Sequence, residues 1–207
     1  MRSLHSYSTD ITRRKKVIFI LAIVSFGVIL VTEFIFRLLP PPFFFGFGIG
    51  GLSVFLVFQA IYLAFNTYIW DHSITRWLKL SKVPNIKGEW KGKIVSSHKD
   101  SGTGQQVEIE GRLEIRQNWR DILIEWHGEG SDSYSVAGTI LVSKGGWPTV
   151  NYQYKNVTRD GTPTSQNDHD GTAELRYIVQ EDEEYLRGYY YTNREPQTQG
   201  EMHFTRS

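Results

Sequence analysis

Residues 107–116 have the sequence VEIEGRLEIR, in which apolar or small side chains alternate with charged ones. Successive side chains of a β-strand point to opposite faces of a sheet, so this stretch predicts a strand with one buried face and one solvated face. The buried face carries Val107, Ile109, Gly111, Leu113 and Ile115. Such a strand requires further strands that bury the same face.

Seven more segments, upstream and downstream of this stretch, also alternate apolar and polar side chains. Turn residues such as Asp160-Gly161 separate most of them. The eight predicted strands lie near residues 86–97, 105–117, 121–128, 133–143, 148–156, 170–180, 184–194 and 199–206. Short sequential strands with one apolar face favour a small antiparallel up-and-down β-barrel, which has no open edge. Gly88-Glu89-Trp90 is similar to the Gly-x-Trp opening of lipocalin-like barrels, so we expect a lipocalin-like domain over residues 84–207.

Two long apolar stretches precede this domain, at about residues 17–38 and 43–65. Each is close to the length that a helix needs to cross ~30 Å of hydrocarbon, and the prolines between them end the first helix. Basic residues flank the outer ends of the pair, which places both termini and the barrel in the cytoplasm by the positive-inside rule. We therefore predict a multi-pass, membrane-anchored all-β protein, with a basic segment, a transmembrane hairpin and a linker over residues 1–83.

Composition narrows the range of functions. Residues 84–207 contain 14 Lys and Arg against 19 Asp and Glu, a net charge of −5, which argues against a nucleic acid polymer as partner. The chain has no cysteine, so disulfides and thiolate catalysis are excluded. We find no paired carboxylates at an inward spacing, nucleophile elbow, phosphate loop or metal-ligand cluster, and predict a non-enzymatic protein without cofactor or metal.

The apolar parity of each predicted strand also assigns polar residues to the inner face of the barrel. The candidate ligand-binding residues chosen in this way are Tyr152, Tyr154, Asn156, His169, Tyr190, Thr192 and Arg194. Inward glycines are expected to leave room beside them, and eight strands enclose enough space for one small ligand. Aromatic rings, hydroxyls, an amide, an imidazole and a guanidinium together suit a planar, polar, anionic ligand.

Several of these residues have a second interpretation. Inward tyrosines either stack on bases, at ~1–3 kcal/mol each, or simply fill the core. Arg194 either pairs with a phosphate or lies across Trp90 as the cation–π lid of a lipocalin-like barrel. His169 either contacts the ligand or stabilises a strand junction as a buried imidazole. The serines at 131, 133 and 135 either line the mouth of the barrel or form a solvated rim.

The apolar hairpin combines with three short motifs in the strand-rich region. These motifs are Tyr152-x-Tyr154-x-Asn156, His169-x-Gly171-Thr172 and Leu186-x-Gly188-x-Tyr190-x-Thr192-Asn193-Arg194. Together they resemble the two-transmembrane, β-strand-rich, SMODS-associated effectors of bacterial anti-phage CBASS systems. Val157 directly after Asn156, and a longer turn before Pro163, depart from that pattern, which leaves the nucleotide specificity open.

The resemblance implies a cytoplasmic barrel that binds a cyclic dinucleotide made by a partner nucleotidyltransferase, or CD-NTase, after infection. It further implies self-association into oligomers and disruption of the lipid bilayer of the bacterial inner membrane, which kills the infected cell in abortive infection. A membrane-tethered carrier or sensor of a lipid or another small hydrophobic molecule is the alternative hypothesis.

Overall fold

The computed structural model describes residues 2–10, 13–38, 54–78, 80–100, 102–142, 146–159, 168–193 and 197–207. The chain forms two compact units. Residues 12–81 make up one unit, and residues 1–11 together with 82–207 make up the other. The first eleven residues, which the sequence patterns group with the hairpin, therefore belong to the strand-rich unit.

The unit of residues 12–81 is helical. It contains α1 (Arg13–Arg37), α2 (Val54–Ala64), a π-helical turn (Phe65–Ile69) and α3 (Ser73–Trp77). Within the described residues, one stretch, Arg14–Ile35, is long and apolar enough to cross a membrane. It coincides with the first predicted span. Of the second predicted span, residues 43–53 lie outside the described residues, and the remainder forms the shorter apolar helix α2.

Most of the surface of α1 is apolar and exposed. Val17, Leu21 and Ser25 are buried at four-residue spacing, whereas Phe19 and Phe34 are each more than 60% exposed. The Ser25 hydroxyl donates a hydrogen bond to the Leu21 carbonyl at 2.6 Å. The hydroxyl is thus satisfied within the helix.

The second unit is a closed sheet. Its strands are β1 (His5–Thr9), β2 (Gly88–Lys99), β3 (Gln106–Gln117), β4 (Asp121–Gly128), β5 (Ser131–Leu141), β6 (Thr149–Thr158), β7 (His169–Gln180), β8 (Glu183–Thr192) and β9 (Gln199–Arg206). From β2 to β9 each strand pairs antiparallel with the next, and β9 pairs back with β2. All eight predicted strands are present, with boundaries shifted by no more than a few residues.

The prediction of eight strands is nevertheless wrong, because β1 adds a ninth to the ring. This strand lies between β4 and β5, antiparallel to the former and parallel to the latter. Its sequence, HSYST, contains a single large apolar residue, Tyr7. Alternation cannot be recognised in so short and polar a segment, and its partners lie more than a hundred residues away.

The predicted faces agree with the observed burial. Leu113 and Ile115 of β3 are buried, whereas the Glu114 side chain between them is 49% exposed. The inner faces of the other strands complete the core, with Trp90, Ile124, Ile140, Val150, Leu175, Leu186, Met202 and Phe204. Each large aliphatic side chain buried in this way stabilises the fold by ~1.5–3 kcal/mol.

Inward glycines do not leave room, contrary to the expectation from the sequence. A Cβ atom on Gly92 would overlap the His203 carbonyl group, and one on Gly188 would overlap the Glu174 carbonyl group. These glycines mark positions where the backbones of neighbouring strands approach closely as the sheet bends into a ring. They shape the closure of the sheet and do not create a cavity.

Candidate ligand-binding site

Six of the seven predicted site residues lie on the inner face of three neighbouring strands, β6 to β8. Asn156 is paired with His169, Tyr154 with Gly171, and Tyr152 with Ala173. The next strand adds Thr192 opposite Gly171 and Tyr190 opposite Ala173. The register therefore stacks these side chains in successive layers. Arg194 lies outside the described residues.

Two serines extend the same layers onto β5. Ser133 is paired with Asn156, and Ser135 with Tyr154. Both serines are buried, at 9% and 3% exposure, and the Ser135 hydroxyl already accepts a hydrogen bond from the Ile124 N–H. We call the group of Ser133, Ser135, Tyr154, Asn156, His169 and Thr192 the polar end of the ring.

Tyr152 and Tyr154 form the aromatic part of the site. Their ring centroids are 6.2 Å apart and both residues are less than 10% exposed. Burial raises the pKa of both phenols above the ordinary value of 10, and for Tyr154 the neighbouring phenols of Tyr152 and Tyr190 add to the rise. Both hydroxyls are therefore neutral at physiological pH and available as hydrogen-bond donors.

Two glycines provide the surfaces on which inward tyrosine rings rest. A Cβ atom on Gly171 would overlap the Tyr154 ring, and one on Gly200 would lie 2.5 Å from Cε1 of Tyr190. The tyrosine rings thus occupy the space next to the glycine backbones. The expected free space beside these two glycines is therefore occupied by tyrosine side chains.

The other predicted residues differ in how far they are engaged. The described residues offer no hydrogen-bond partner to the Asn156 amide or to the hydroxyls of Tyr152 and Tyr154. The His169 ring meets the Tyr154 ring edge-on, with centroids 6.4 Å apart. The Thr192 hydroxyl, by contrast, already accepts a hydrogen bond from the Thr198 backbone N–H at 2.8 Å. Thr192 thus closes the β8–β9 connection.

The opposite end of the ring is apolar and is covered by Arg206, which is not among the predicted site residues. Trp90 is fully buried, and its indole N–H donates to the Ile86 carbonyl at 2.9 Å. The Arg206 guanidinium carbon lies 4.5 Å from the Trp90 ring centroid, and two guanidinium nitrogens donate to the carbonyls of Lys87 and Asn85. The predicted cation–π lid exists, but Arg206 forms it, because the β2–β9 register pairs that residue with Trp90.

Two concavities lie on the outer surface of the ring. One, of about 500 Å³, follows β6 to β8 and is lined mainly by outward side chains, including Gln153, Lys155, Thr172 and Tyr191. The other, of about 690 Å³, crosses β2 to β4 beside Lys91, Lys93 and Arg112. Tyr154 and Thr192 also line the first concavity, whereas neither concavity contains Asn156 or His169. Among the described residues no group of three His, Asp or Glu side chains is placed to hold a metal ion.

Comparison with known proteins identifies the strand-rich unit. Residues 81–206 match a family model described as the cyclic dinucleotide receptor domain of Cap15. The chain is also 30% identical over 150 residues to CD-NTase-associated protein 15 of Yersinia aleksiciae, an alignment that covers 72% of this chain and 67% of that protein. The resemblance to CBASS effectors is confirmed at this level. The chain therefore belongs to the Cap15 family of CBASS effectors, and its β2–β9 region is the cyclic dinucleotide receptor domain of that family.

Proposed function

We propose that the protein is a membrane-anchored effector that binds a cyclic dinucleotide at the polar end of its ring. Binding promotes assembly of several copies, and the assembly disrupts the bacterial inner membrane so that the infected cell dies. The nucleotide, made by a CD-NTase, is a signal and is not turned over, so the protein acts as a receptor and not as an enzyme.

The observation that carries this proposal is the set of polar groups at the inner face of β6. Asn156, Tyr152 and Tyr154 are each less than 10% exposed, and their amide and hydroxyl groups have no hydrogen-bond partners among the described residues. None of these groups is among the side-chain atoms of the described residues that are both fully buried and unpartnered, so their polar atoms remain accessible to water. A ligand that displaces this water and supplies partners in a largely buried setting supports the polar end as a site for hydrogen bonding.

The chemistry of these side chains fits a cyclic dinucleotide. Neutral phenols donate hydrogen bonds to phosphate oxygens, and the Asn156 amide both donates to and accepts from a base edge. The rings of Tyr152 and Tyr190 offer stacking surfaces for the bases. Arg194, just beyond the described end of β8, is proposed to pair with a phosphate through its planar guanidinium.

The tyrosine rings over the glycines must move when a ligand enters. Tyr154 lies on Gly171 and Tyr190 lies next to Gly200, so their side chains occupy the space beside these glycines. Rotation of these two rings toward the mouth would open room without moving the strands. Ligand binding is thus coupled to a rearrangement of the polar end, whereas the Trp90 end stays packed.

The pairing of β1 supports the two-span membrane topology. Because β1 and β2–β9 pair in one sheet, these strands can only lie on one and the same side of any membrane that the chain crosses. The segment between them must then cross the bilayer an even number of times. If α1 spans the membrane, a second crossing is required, and the apolar stretch at about 43–65 that includes α2 supplies it. Positive residues at the outer ends of the pair favour a cytoplasmic ring.

A thermal-shift screen of the full chain in detergent micelles tests ligand binding. Cyclic di- and trinucleotides are added one at a time, and a true ligand at 100 times its dissociation constant is expected to stabilise the protein by ~2.7 kcal/mol. Asn156→Ala should abolish the shift caused by the selected nucleotide. Tyr191→Ala is the matched control, because that side chain lies on the outer face of β8 and is 50% exposed.

Dye-loaded liposomes test the membrane step with the same variants. Leakage that requires the selected nucleotide and is lost in Asn156→Ala supports the proposal. A shift that survives Asn156→Ala but is lost in Tyr191→Ala would move the site to the outer groove over β6 to β8. If no nucleotide shifts the unfolding temperature of the folded protein, and a lipid copurifies with it, the membrane-tethered carrier is favoured.

A further inference from the structure

The strand β1 is an addition to a ring that is already closed without it. β4 and β5 pair directly through Glu125–Tyr134, Trp126–Ser133 and His127–Asp132. Beyond these pairs the two strands diverge, and β5 has an irregularity between Ser135 and Ala137 in its pairing with β6. β1 occupies the resulting fork, which we call the β1 slot.

The β1 slot binds its strand through backbone pairing and one buried anchor. His5 and Ser6 pair with β4, and Tyr7 to Thr9 pair with β5. Tyr7 is only 2% exposed, and its hydroxyl donates to the Trp119 carbonyl at 3.0 Å. This is the arrangement of β-strand addition, in which the main chain supplies affinity and a side-chain pocket supplies specificity.

We propose that the β1 slot is a strand-acceptor site that takes β1 from a second copy of this chain, so that exchange of β1 links the copies. The exchanged contacts are identical to those within one chain, so exchange leaves the interaction energy of the strand unchanged. The choice between the two arrangements then depends on the effective concentration of each β1 at the slot. The effective concentration of a neighbour's β1 rises when copies share one membrane. The inference rests on the assembly step of the proposed function.

The slot is joined to the polar end by Ser135. Its hydroxyl oxygen lies 2.8 Å from Nε2 of His5 in β1 and accepts a hydrogen bond from the Ile124 N–H at 2.9 Å. The same residue is paired with Tyr154 across β5 and β6. A ligand that moves Tyr154 therefore acts on the residue that contacts β1. Loosening of that contact frees β1 for a neighbour.

Engineered cysteines can detect the exchange, because the chain has no cysteine of its own. Ser8 and Thr139 are paired residues whose hydroxyl oxygens lie 2.6 Å apart, close enough for a disulfide after substitution. A chain carrying Ser8→Cys and a differently tagged chain carrying Thr139→Cys are coexpressed in one membrane, and the isolated membranes are treated with copper phenanthroline as oxidant, because thiols are kept reduced in the cytoplasm. A disulfide between these two chains forms only when β1 of one copy occupies the slot of the other.

The experiment uses cyclic di-AMP, cyclic di-GMP, cyclic di-UMP and cyclic GMP–AMP as separate probes, with no nucleotide as reference. We expect at least one probe to increase the disulfide-linked heterodimer about fivefold or more, measured by nonreducing gels and mass spectrometry of the linked peptides. Ser8→Cys coexpressed with Thr205→Cys is the matched control, because Thr205 is exposed on β9 and pairs only with β2 and β8.

One chain carrying both Ser8→Cys and Thr139→Cys reports whether the slot folds. If this chain closes its disulfide internally while the two single variants never link, β1 exchange is wrong. Should the assembly still grow in mass under the same probe, the proposed function stands and copies associate through another surface. If neither mass nor thermal stability responds to any probe, both the proposed function and the exchange fail.

Discussion

The two ends of the ring are built from different side chains on the same sheet. At the Trp90 end, an indole with no exposed surface donates to a backbone carbonyl and is covered by Arg206. At the polar end, positions that are also buried carry Asn156 and Tyr154, whose polar groups have no partner among the described residues. The first end satisfies the indole N–H internally, whereas the second leaves its polar groups available to a ligand.

This difference separates stability from binding. A closed sheet distributes its backbone hydrogen bonds around the whole ring, so one end can be packed tightly while the other remains incompletely satisfied. We expect substitutions at the Trp90 end to change the free energy of unfolding with little effect on nucleotide affinity. Substitutions at the polar end should do the reverse.

The largest expected effect is that of Trp90→Ala. Removing this fully buried ring, together with its contact to Arg206, should lower the free energy of unfolding by ~3–5 kcal/mol. Urea unfolding of the full chain in detergent, followed by circular dichroism, measures the change. Protein that remains folded should bind the nucleotide with an unchanged dissociation constant.

Trp147→Ala is the matched control, because that side chain is 47% exposed in the connection before β6. Its removal should change the free energy of unfolding by no more than about 0.5 kcal/mol. A Trp90→Ala variant as stable as the control would show that the Trp90 end does not stabilise the ring.

Tyr154→Phe tests the polar end with a smaller change. The substitution keeps the ring on Gly171 and removes only a hydroxyl that has no described partner, so stability should be unchanged or slightly higher. Loss of a hydrogen bond to a charged phosphate should weaken binding by ~1.5–3 kcal/mol, roughly tenfold or more in dissociation constant. Calorimetric titration of the full chain measures the affinity, and urea unfolding measures the stability.

Tyr191→Phe provides the comparison on the outer face of β8, where the side chain is 50% exposed. Neither stability nor affinity should change in that variant. If Tyr154→Phe lowers stability and leaves affinity intact, the phenol has a structural partner and the polar end is part of the core.

The sequence alone predicted the positions of eight strands and the faces they bury, because period-two alternation is a local signal. It also grouped Tyr152, Tyr154 and Asn156 with His169 and Tyr190 on one inner surface, since parity carries that information from strand to strand. Their role in binding stays a prediction. The ninth strand escaped notice because five polar-rich residues show no alternation and pair only with distant strands.

Two other differences depend on register, which parity does not determine. Arg194 and Arg206 are both late arginines in the sequence, but the pairing of β9 with β2 brings Arg206 to Trp90. The inward glycines likewise suggested free space, whereas the neighbouring backbones and tyrosine rings fill it. Distances between strands, and not the composition of one strand, decide both outcomes.

The smallest predicted effect concerns pH and again separates the two ends. Asp132, beside the polar end, accepts hydrogen bonds from Arg159 at 2.7 and 3.0 Å and lies 2.8 Å from His127 Nδ1. The Arg159 hydrogen bonds, and to a lesser extent His127, lower the pKa of Asp132 below its ordinary value of 3.8, although burial opposes them. Because the Arg159 side chain is 47% exposed, Asp132→Asn should cost under ~1 kcal/mol at pH 7.

The sign of the pH dependence follows from the lowered pKa of the folded state. The contribution of ionised Asp132 is complete above its ordinary pKa of 3.8 and is lost as the pH falls through the lower folded value. The stability difference between wild type and Asp132→Asn should therefore shrink between pH 7 and about pH 3, as measured by urea unfolding. The Trp90→Ala difference should persist over the same range, because packing around an uncharged ring does not titrate. If Asp132→Asn lowers the free energy of unfolding by the same amount at both pH values, Asp132 stabilises the fold through packing and hydrogen-bond geometry and not through its charge.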